Sequence, residues 1–144
     1  MPTVLFVDDE PNLLRSYRDT FRRDACEVLL ASSGYEALEI LAKNPVEIVV
    51  SDERMPLMSG AELLQRIHRE YPDVVRIMLT GHASLSASMQ VINDGLYRFL
   101  SKPIMPSELR RVIHDALHIK KLSWAANVSL GPIGGASGRS LKFA

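Results

Sequence analysis

The chain has 144 residues, a common size for a single domain and enough to bury one core without disulfides or a structural metal. Its 17 basic and 17 acidic side chains give a formal net charge of zero, so no overall field favours nucleic acid or an anionic membrane. One cysteine, Cys26, excludes an internal disulfide, and no apolar run approaches the roughly 20 residues that span a bilayer. These features predict one cytoplasmic domain.

Short apolar strands alternate with amphipathic helices along most of the chain. The predicted strands are residues 3–7, 28–31, 46–50, 74–79 and 97–100. The first three predicted helices begin near Pro11, after Gly34, and around Leu63, and the fourth and fifth cover 83–94 and 106–120. Strict alternation implies right-handed crossovers. We therefore predict an α/β fold of the (βα)₅ type, a doubly wound parallel sheet of five strands. The Gly-rich residues 122–144 predict a flexible tail or linker remnant.

Polar side chains follow four of the predicted strands. Asp8 and Asp9 follow the first strand, Asp52 the third, Thr80 the fourth and Lys102 the fifth. Carboxyl ends of parallel strands meet at one edge of a sheet, so these groups should converge there. Three close carboxylates repel one another unless a cation lies among them, and an all-oxygen site suits Mg²⁺. In this arrangement an Asp52 oxygen would attack phosphorus, while Lys102 and Thr80 would hold the phosphoryl oxygens.

The combination of motifs at these strand ends resembles the receiver domains of two-component response regulators. The resemblance covers roughly residues 3–120 and lies in Val7-Asp8-Asp9-Glu10, Ser51-Asp52 with Met55-Pro56 and Gly60, Leu79-Thr80-Gly81, and Lys102-Pro103. It implies the flavodoxin-like strand order 2-1-3-4-5 and identifies Asp52 as the phosphoacceptor. It also implies that Asp9, Asp52 and the Arg54 carbonyl bind Mg²⁺ directly, with Asp8 acting through bound water.

The same resemblance implies a switch and its partners. A sensor histidine kinase or a phosphotransfer protein would donate the phosphoryl group. Thr80 would then move inward, and Phe99, at the family's aromatic switch position, would follow. This would alter the face of the predicted fourth helix, fifth strand and fifth helix, where we expect an effector or a second copy of the chain to bind. The segment 93–103 also resembles receivers joined to cyclic-di-nucleotide phosphodiesterase outputs.

Other functions fit the sequence less well. A Mg²⁺-dependent phosphohydrolase with an aspartyl-phosphate intermediate shares this chemistry, but such enzymes carry a D-x-D nucleophile after the first strand and need a cap. A degenerate receiver would lack acceptor-site residues, all of which are present here. The sequence has no G-x-G-x-x-G motif at the start of the first predicted helix, so it does not predict a dinucleotide-binding site. The residues after Lys120 are too few and too Gly-rich for a helix-turn-helix module. We therefore expect a signalling domain with no enzymatic activity beyond its own phosphorylation and slow dephosphorylation, and no nucleic-acid or membrane partner.

Three smaller expectations concern single residues. The Lys102-Pro103 bond is a candidate cis peptide, because only X-Pro bonds adopt cis at modest cost. The histidines share no ligand spacing, so most should face solvent. In resembling receivers the positions of Arg54 and His82 line the approach of water to the phosphoryl group. Both are bulky here, which predicts slow dephosphorylation.

Overall fold

The computed structural model describes residues 1–81 and 97–129, with side chains up to Lys121. Its strands are β1 (Thr3–Val7), β2 (Glu27–Ala31), β3 (Ile48–Asp52), β4 (Val75–Thr80) and β5 (Arg98–Ser101). They pair in parallel as one sheet in the order β2-β1-β3-β4-β5. The α/β class and the strand order are thus confirmed.

Helices follow the strands as the apolar spacing predicts. They are α1 (Pro11–Thr20), α2 (Gly34–Lys43), α3 (Gly60–Glu70) and the C-terminal helix (Pro106–Ser129). Pro11 occupies the first turn of α1, where its missing N–H costs nothing. The Ser59 and Glu62 side chains form a reciprocal capping box at the start of α3. The predicted helix over 83–94 lies outside the described residues.

The C-terminal helix continues to Ser129, whereas the sequence pattern predicted an end at Lys120. No glycine or proline interrupts the chain between Lys120 and Gly131, so nothing in the local backbone stops the helix. Residues 130–144 lie outside the described part, and the boundary at residue 122 stays a prediction. Within the described residues, no helix is both long and apolar enough to cross a membrane.

The sheet is covered by helices on both faces. Along β1, Val4 and Phe6 point to a core beneath α1 and the C-terminal helix, whereas Leu5 and Val7 point to a core beneath α2 and α3. All four are buried, which explains why the strand is apolar without interruption. With both faces covered, the carboxyl edge of the sheet is left for the polar loops.

Candidate functional site

Three carboxylates meet at the carboxyl edge of the sheet. Asp8 and Asp9 follow β1, Asp52 ends β3, and the pairing of Val7 with Ser51 holds the two strand ends side by side. One oxygen from each of the three carboxylates lies within 4.8 Å of the others. Asp8 is buried, Asp52 is half-buried and Asp9 is exposed, so the cluster opens to solvent on one side.

Lys102 reaches this cluster from the loop after β5. Its Nζ lies 3.0 Å from Asp8 Oδ2 and 3.2 Å from Asp52 Oδ1. The backbone N–H of Lys102 donates a hydrogen bond of 2.8 Å to the carbonyl of Thr80, which fixes the residue against the end of β4. The Lys102-Pro103 peptide is cis, as predicted. We call Asp8, Asp9, Asp52 and Lys102 the acid pocket.

The charges of the acid pocket do not cancel. Burial raises the pKa of the Asp52 carboxyl above its ordinary value, with Asp8 adding to the rise and Lys102 opposing it. Burial lowers the pKa of the Lys102 ammonium. The hydrogen bond to Asp8 and the neighbouring acidic groups raise this pKa, and because their effect is larger than that of burial, the pKa lies above its ordinary value. The lysine therefore stays charged near neutral pH. Its single positive charge faces the carboxyl groups of three aspartates, Asp8, Asp9 and Asp52.

This donor set fits a divalent metal. All the side-chain donors are oxygens, and the exposed Asp9 leaves room for bound water, as Mg²⁺ requires. Arg54, whose carbonyl is the predicted third ligand, lies in the loop directly after β3 with its side chain exposed. The roles of these residues as ligands and phosphoacceptor remain predictions.

The two predicted switch residues lie on the neighbouring strands β4 and β5. Thr80 is the last residue of β4 and is 3% exposed, while Phe99 on β5 is half-buried and packs against the core beneath α2 and α3. Phe99 pairs with Met78, two residues before Thr80 on β4. Arg54 and His82 are the two residues expected to hinder the approach of water to the phosphoryl group. The structure describes Arg54, whereas His82 lies outside the described residues.

The sequence did not indicate two residues that border the acid pocket. The first is Tyr17 on α1, which stacks on Phe6 with ring centroids 4.8 Å apart. Burial, reinforced by Asp8 and Asp52 and opposed by Lys102, raises the pKa of Tyr17 to about 12, so the phenol stays neutral beneath the acid pocket.

Glu53, directly after Asp52, is the second of these residues. It is 8% exposed, and its Oε1 accepts a hydrogen bond of 3.1 Å from the backbone N–H of Ala61. Its Oε2 has no hydrogen-bond partner among the described residues. A carboxylate eight positions before its donor matches no capping pattern, so sequence analysis had no signal for this contact.

Away from the acid pocket, the exposed His114 has an acidic neighbour. Its Nε2 lies 3.5 Å from Asp24 Oδ2, and the Arg110 guanidinium holds the same carboxylate with contacts of 2.7 and 3.1 Å. These groups tie the loop after α1 to the C-terminal helix. The expectation of exposed histidines holds at His114 and His118, whereas His68 is half-buried.

Comparison with known proteins places the chain in a family. The family model for the response regulator receiver domain matches residues 4–114. The transcriptional regulatory protein GlrR of Escherichia coli (strain K12) is 35% identical over 114 residues, which are 79% of this chain and 26% of that protein. The chain thus spans about a quarter of the length of this curated relative.

Solved structures agree with the family model. A response regulator receiver domain protein from Clostridium thermocellum superposes with a TM-score of 0.78 at 33% identity, covering 85% of this chain and 98% of the other. The signal receiver domain of an HD domain-containing protein from Pseudomonas fluorescens Pf-5 gives a TM-score of 0.80 at 35% identity, covering 83% and 97%. The chain belongs to the response regulator receiver domain family, whose general function is that of a phosphorylation-dependent switch in two-component systems.

Proposed function

We propose that this chain accepts a phosphoryl group from a sensor histidine kinase, or from a phosphotransfer protein, onto Asp52 in the presence of Mg²⁺. The observation that carries the proposal is the contact of one Lys102 ammonium with both Asp8 and Asp52 beside the exposed Asp9. A carboxylate, a fixed cation and a cluster of oxygen donors thus share one open pocket, which supports Asp52 as the nucleophile. We include a cytoplasmic location, which suits the free and buried Cys26.

The chemistry follows from the positions of these groups. An oxygen of the Asp52 carboxylate attacks phosphorus, the bond from phosphorus to the donor breaks, and the donor departs with that electron pair. Lys102 already lies 3.2 Å from Asp52 Oδ1, so its ammonium meets the phosphoryl oxygens as they gain charge. Asp9, Asp52 and the Arg54 carbonyl would hold Mg²⁺, with Asp8 acting through bound water, and the ion would supply charge neutralisation at the same place.

We further propose how the signal leaves the acid pocket. A phosphorylated Asp52 carries about 1.5 to 2 negative charges and recruits the Thr80 hydroxyl, after which Phe99 turns inward. The face formed by the predicted fourth helix, β5 and the C-terminal helix then binds an effector or a second copy of the chain. The relative GlrR is a transcriptional regulatory protein, and the segment matched by this chain is 26% of its length. A transcriptional output is therefore one candidate. The resemblance to receivers with cyclic-di-nucleotide phosphodiesterase outputs makes such an output another candidate.

A labelling experiment separates this switch from a phosphohydrolase. Purified protein is incubated with Mg²⁺ and acetyl phosphate, and both protein-bound phosphoryl and released phosphate are followed over time. A switch takes up at most one phosphoryl group per chain and releases phosphate slowly. Rapid multiple turnover, also with unrelated phosphate esters, would contradict the proposal and favour the enzyme.

Nuclear magnetic resonance tests the transmission step. On phosphorylation, chemical shifts should change within residues 84–119 as well as at the acid pocket. Phe99→Ala should reduce the changes in that region while leaving the uptake of phosphoryl from acetyl phosphate in place. Changes confined to the acid pocket of the wild-type protein would refute transmission through this face.

A further inference from the structure

Glu53 connects the end of β3 to the start of α3 through two hydrogen bonds. Its carboxylate Oε1 accepts from the N–H of Ala61 at 3.1 Å, and its backbone carbonyl accepts from the N–H of Gly60 at 2.9 Å. The side chain and the main chain of one residue therefore bind two successive amides in the first turn of α3. These bonds close the loop of residues 54–59, which begins with Arg54.

The bond from the Glu53 side chain is additional to the usual cap of α3 and serves a different N–H group, that of Ala61. α3 already has a capping box, in which Ser59 Oγ accepts from the N–H of Glu62 and the Glu62 carboxylate accepts from the N–H of Ser59. Removing a carboxylate from water is costly, and Oε2 has no hydrogen-bond partner among the described residues to offset the cost. A small apolar residue at position 53 would avoid this cost but would leave the buried N–H of Ala61 without its acceptor. The buried carboxylate therefore serves to hold the first turn of α3 against the end of β3.

The loop that Glu53 closes is itself strained. Leu57 has a φ of 71°, in the left-handed region, within a tight turn closed by a 2.8 Å hydrogen bond from the N–H of Met58 to the carbonyl of Pro56. Its side chain is 88% exposed and gains little from packing. Such a conformation persists only when the surrounding contacts hold it. The position of the Arg54 carbonyl therefore depends on how the ends of the loop are fixed.

We propose that Glu53 is a positioning residue of the acid pocket, whose side chain ties the loop 54–59 to α3 and so sets the Asp52 carboxylate and the Arg54 carbonyl at the spacing that one Mg²⁺ requires. This inference rests on the proposed function. Glu53 acts through its hydrogen bond to Ala61, and its charge is not what matters.

Two conservative variants separate the hydrogen bond from the charge. Glu53→Gln keeps the length and one acceptor oxygen, and its amide nitrogen replaces the unpartnered Oε2. Glu53→Asp keeps the charge but is one methylene too short to reach Ala61. Glu53→Ala removes both properties. Circular dichroism and thermal melting first establish that each variant is folded.

The main readout is the dissociation constant for Mg²⁺ by isothermal titration calorimetry, with no phosphoryl donor present. We expect Glu53→Gln to bind within about twofold of wild type, and Glu53→Asp and Glu53→Ala to bind about tenfold more weakly, the effect of losing one hydrogen bond. Labelling by acetyl phosphate should require more Mg²⁺ in the two weak variants, with the rates at saturating Mg²⁺ approaching that of wild type.

Several results would overturn the inference. Glu53→Asp binding like wild type while Glu53→Gln binds like Glu53→Ala would show that the charge acts and the hydrogen bond does not. Lower melting temperatures with an unchanged dissociation constant in all three variants would show a purely structural role. If the wild-type protein itself bound no Mg²⁺, the proposed function would fail first, and the inference would lose its premise.

Discussion

Replacing Gly60 by alanine tests the close contact between α3 and the end of β3. A Cβ on Gly60 would lie 2.1 Å from the backbone oxygen of Asp52 and 2.9 Å from Glu53 Cα. An ordinary contact between such atoms needs about 3.5 Å, so the two backbone segments would have to separate by about 1.4 Å. Both partners are main chain, and no rotamer change relieves the clash.

The magnitude follows from the contacts that are lost. Overpacking of this kind costs about 1–3 kcal/mol, and the displaced N–H of Gly60 would lose its 2.9 Å bond to the Glu53 carbonyl at a further cost of about 1–3 kcal/mol. The lower chain entropy of alanine in the unfolded state returns about 0.4–1 kcal/mol. We therefore expect a net loss of about 1–6 kcal/mol, and the middle of that range corresponds to about 10 °C in melting temperature.

Two other glycines serve as matched controls. At Gly81 the nearest described atom to a new Cβ is Lys102 Cβ at 4.0 Å, so Gly81→Ala should change the unfolding free energy by less than about 1 kcal/mol. At Gly34 the Cβ would meet Met58 Sδ at 2.6 Å, but a thioether side chain can turn away. The loss of unfolding free energy in Gly34→Ala should therefore lie between the losses in Gly60→Ala and Gly81→Ala.

Thermal and urea unfolding, monitored by circular dichroism, give the melting temperatures and unfolding free energies of the three glycine variants. Gly60→Ala should also weaken Mg²⁺ binding, because the clash displaces the backbone of Asp52. A melting temperature for Gly60→Ala equal to that of Gly81→Ala would refute the reasoning, since the two positions differ chiefly in the predicted clash.

Three further predictions concern individual side chains. Asp9→Ala should lower the affinity for Mg²⁺ at least about tenfold while the melting temperature without metal stays the same or rises, because one of three repelling carboxylates is gone; calorimetry and melting check both. Arg110 holds the pKa of Asp24 below its ordinary value, so this pair stabilises the fold above the unfolded pKa of Asp24 and loses that contribution as the pH falls through the folded pKa. Arg110→Met should therefore lower the melting temperature at pH 7, and the difference should narrow in acid; a difference independent of pH would contradict this. Arg54→Ala and His82→Ala should each speed the loss of phosphoryl in Mg²⁺, measured by intact mass over time, and unchanged rates in both would leave them as surface residues.

The sequence predicted the fold because the pattern that decides it is local. Alternating apolar strands and helices imply a parallel sheet, and in a parallel sheet Asp8, Asp52 and Lys102 must meet at one edge whatever the details of packing. The structure brings Lys102 Nζ within 3.2 Å of Asp52 and 3.0 Å of Asp8. That convergence could be predicted without knowing any contact distance.

The missed features depend on contacts between distant parts of the chain. Arg76 lies in a strand that the sequence predicts as buried, and it is 2% exposed because its guanidinium donates to the Leu64 carbonyl at 3.0 Å. Asp24 and Arg110 are 86 positions apart, and no periodicity links them. Glu53 looks like a loop residue, and only the position of α3 makes it a buried acceptor. Such pairings are set by tertiary packing, which local sequence patterns do not encode.

The most direct test of the central claim is the intact mass of the protein before and after incubation with acetyl phosphate and Mg²⁺, compared between wild type and Asp52→Asn. The asparagine variant keeps the size of the side chain and removes the nucleophilic carboxylate. We predict a gain of one phosphoryl group in the wild-type protein that chelation of Mg²⁺ prevents, and no gain in Asp52→Asn. Equal labelling of the two proteins would show that Asp52 is not the phosphoacceptor.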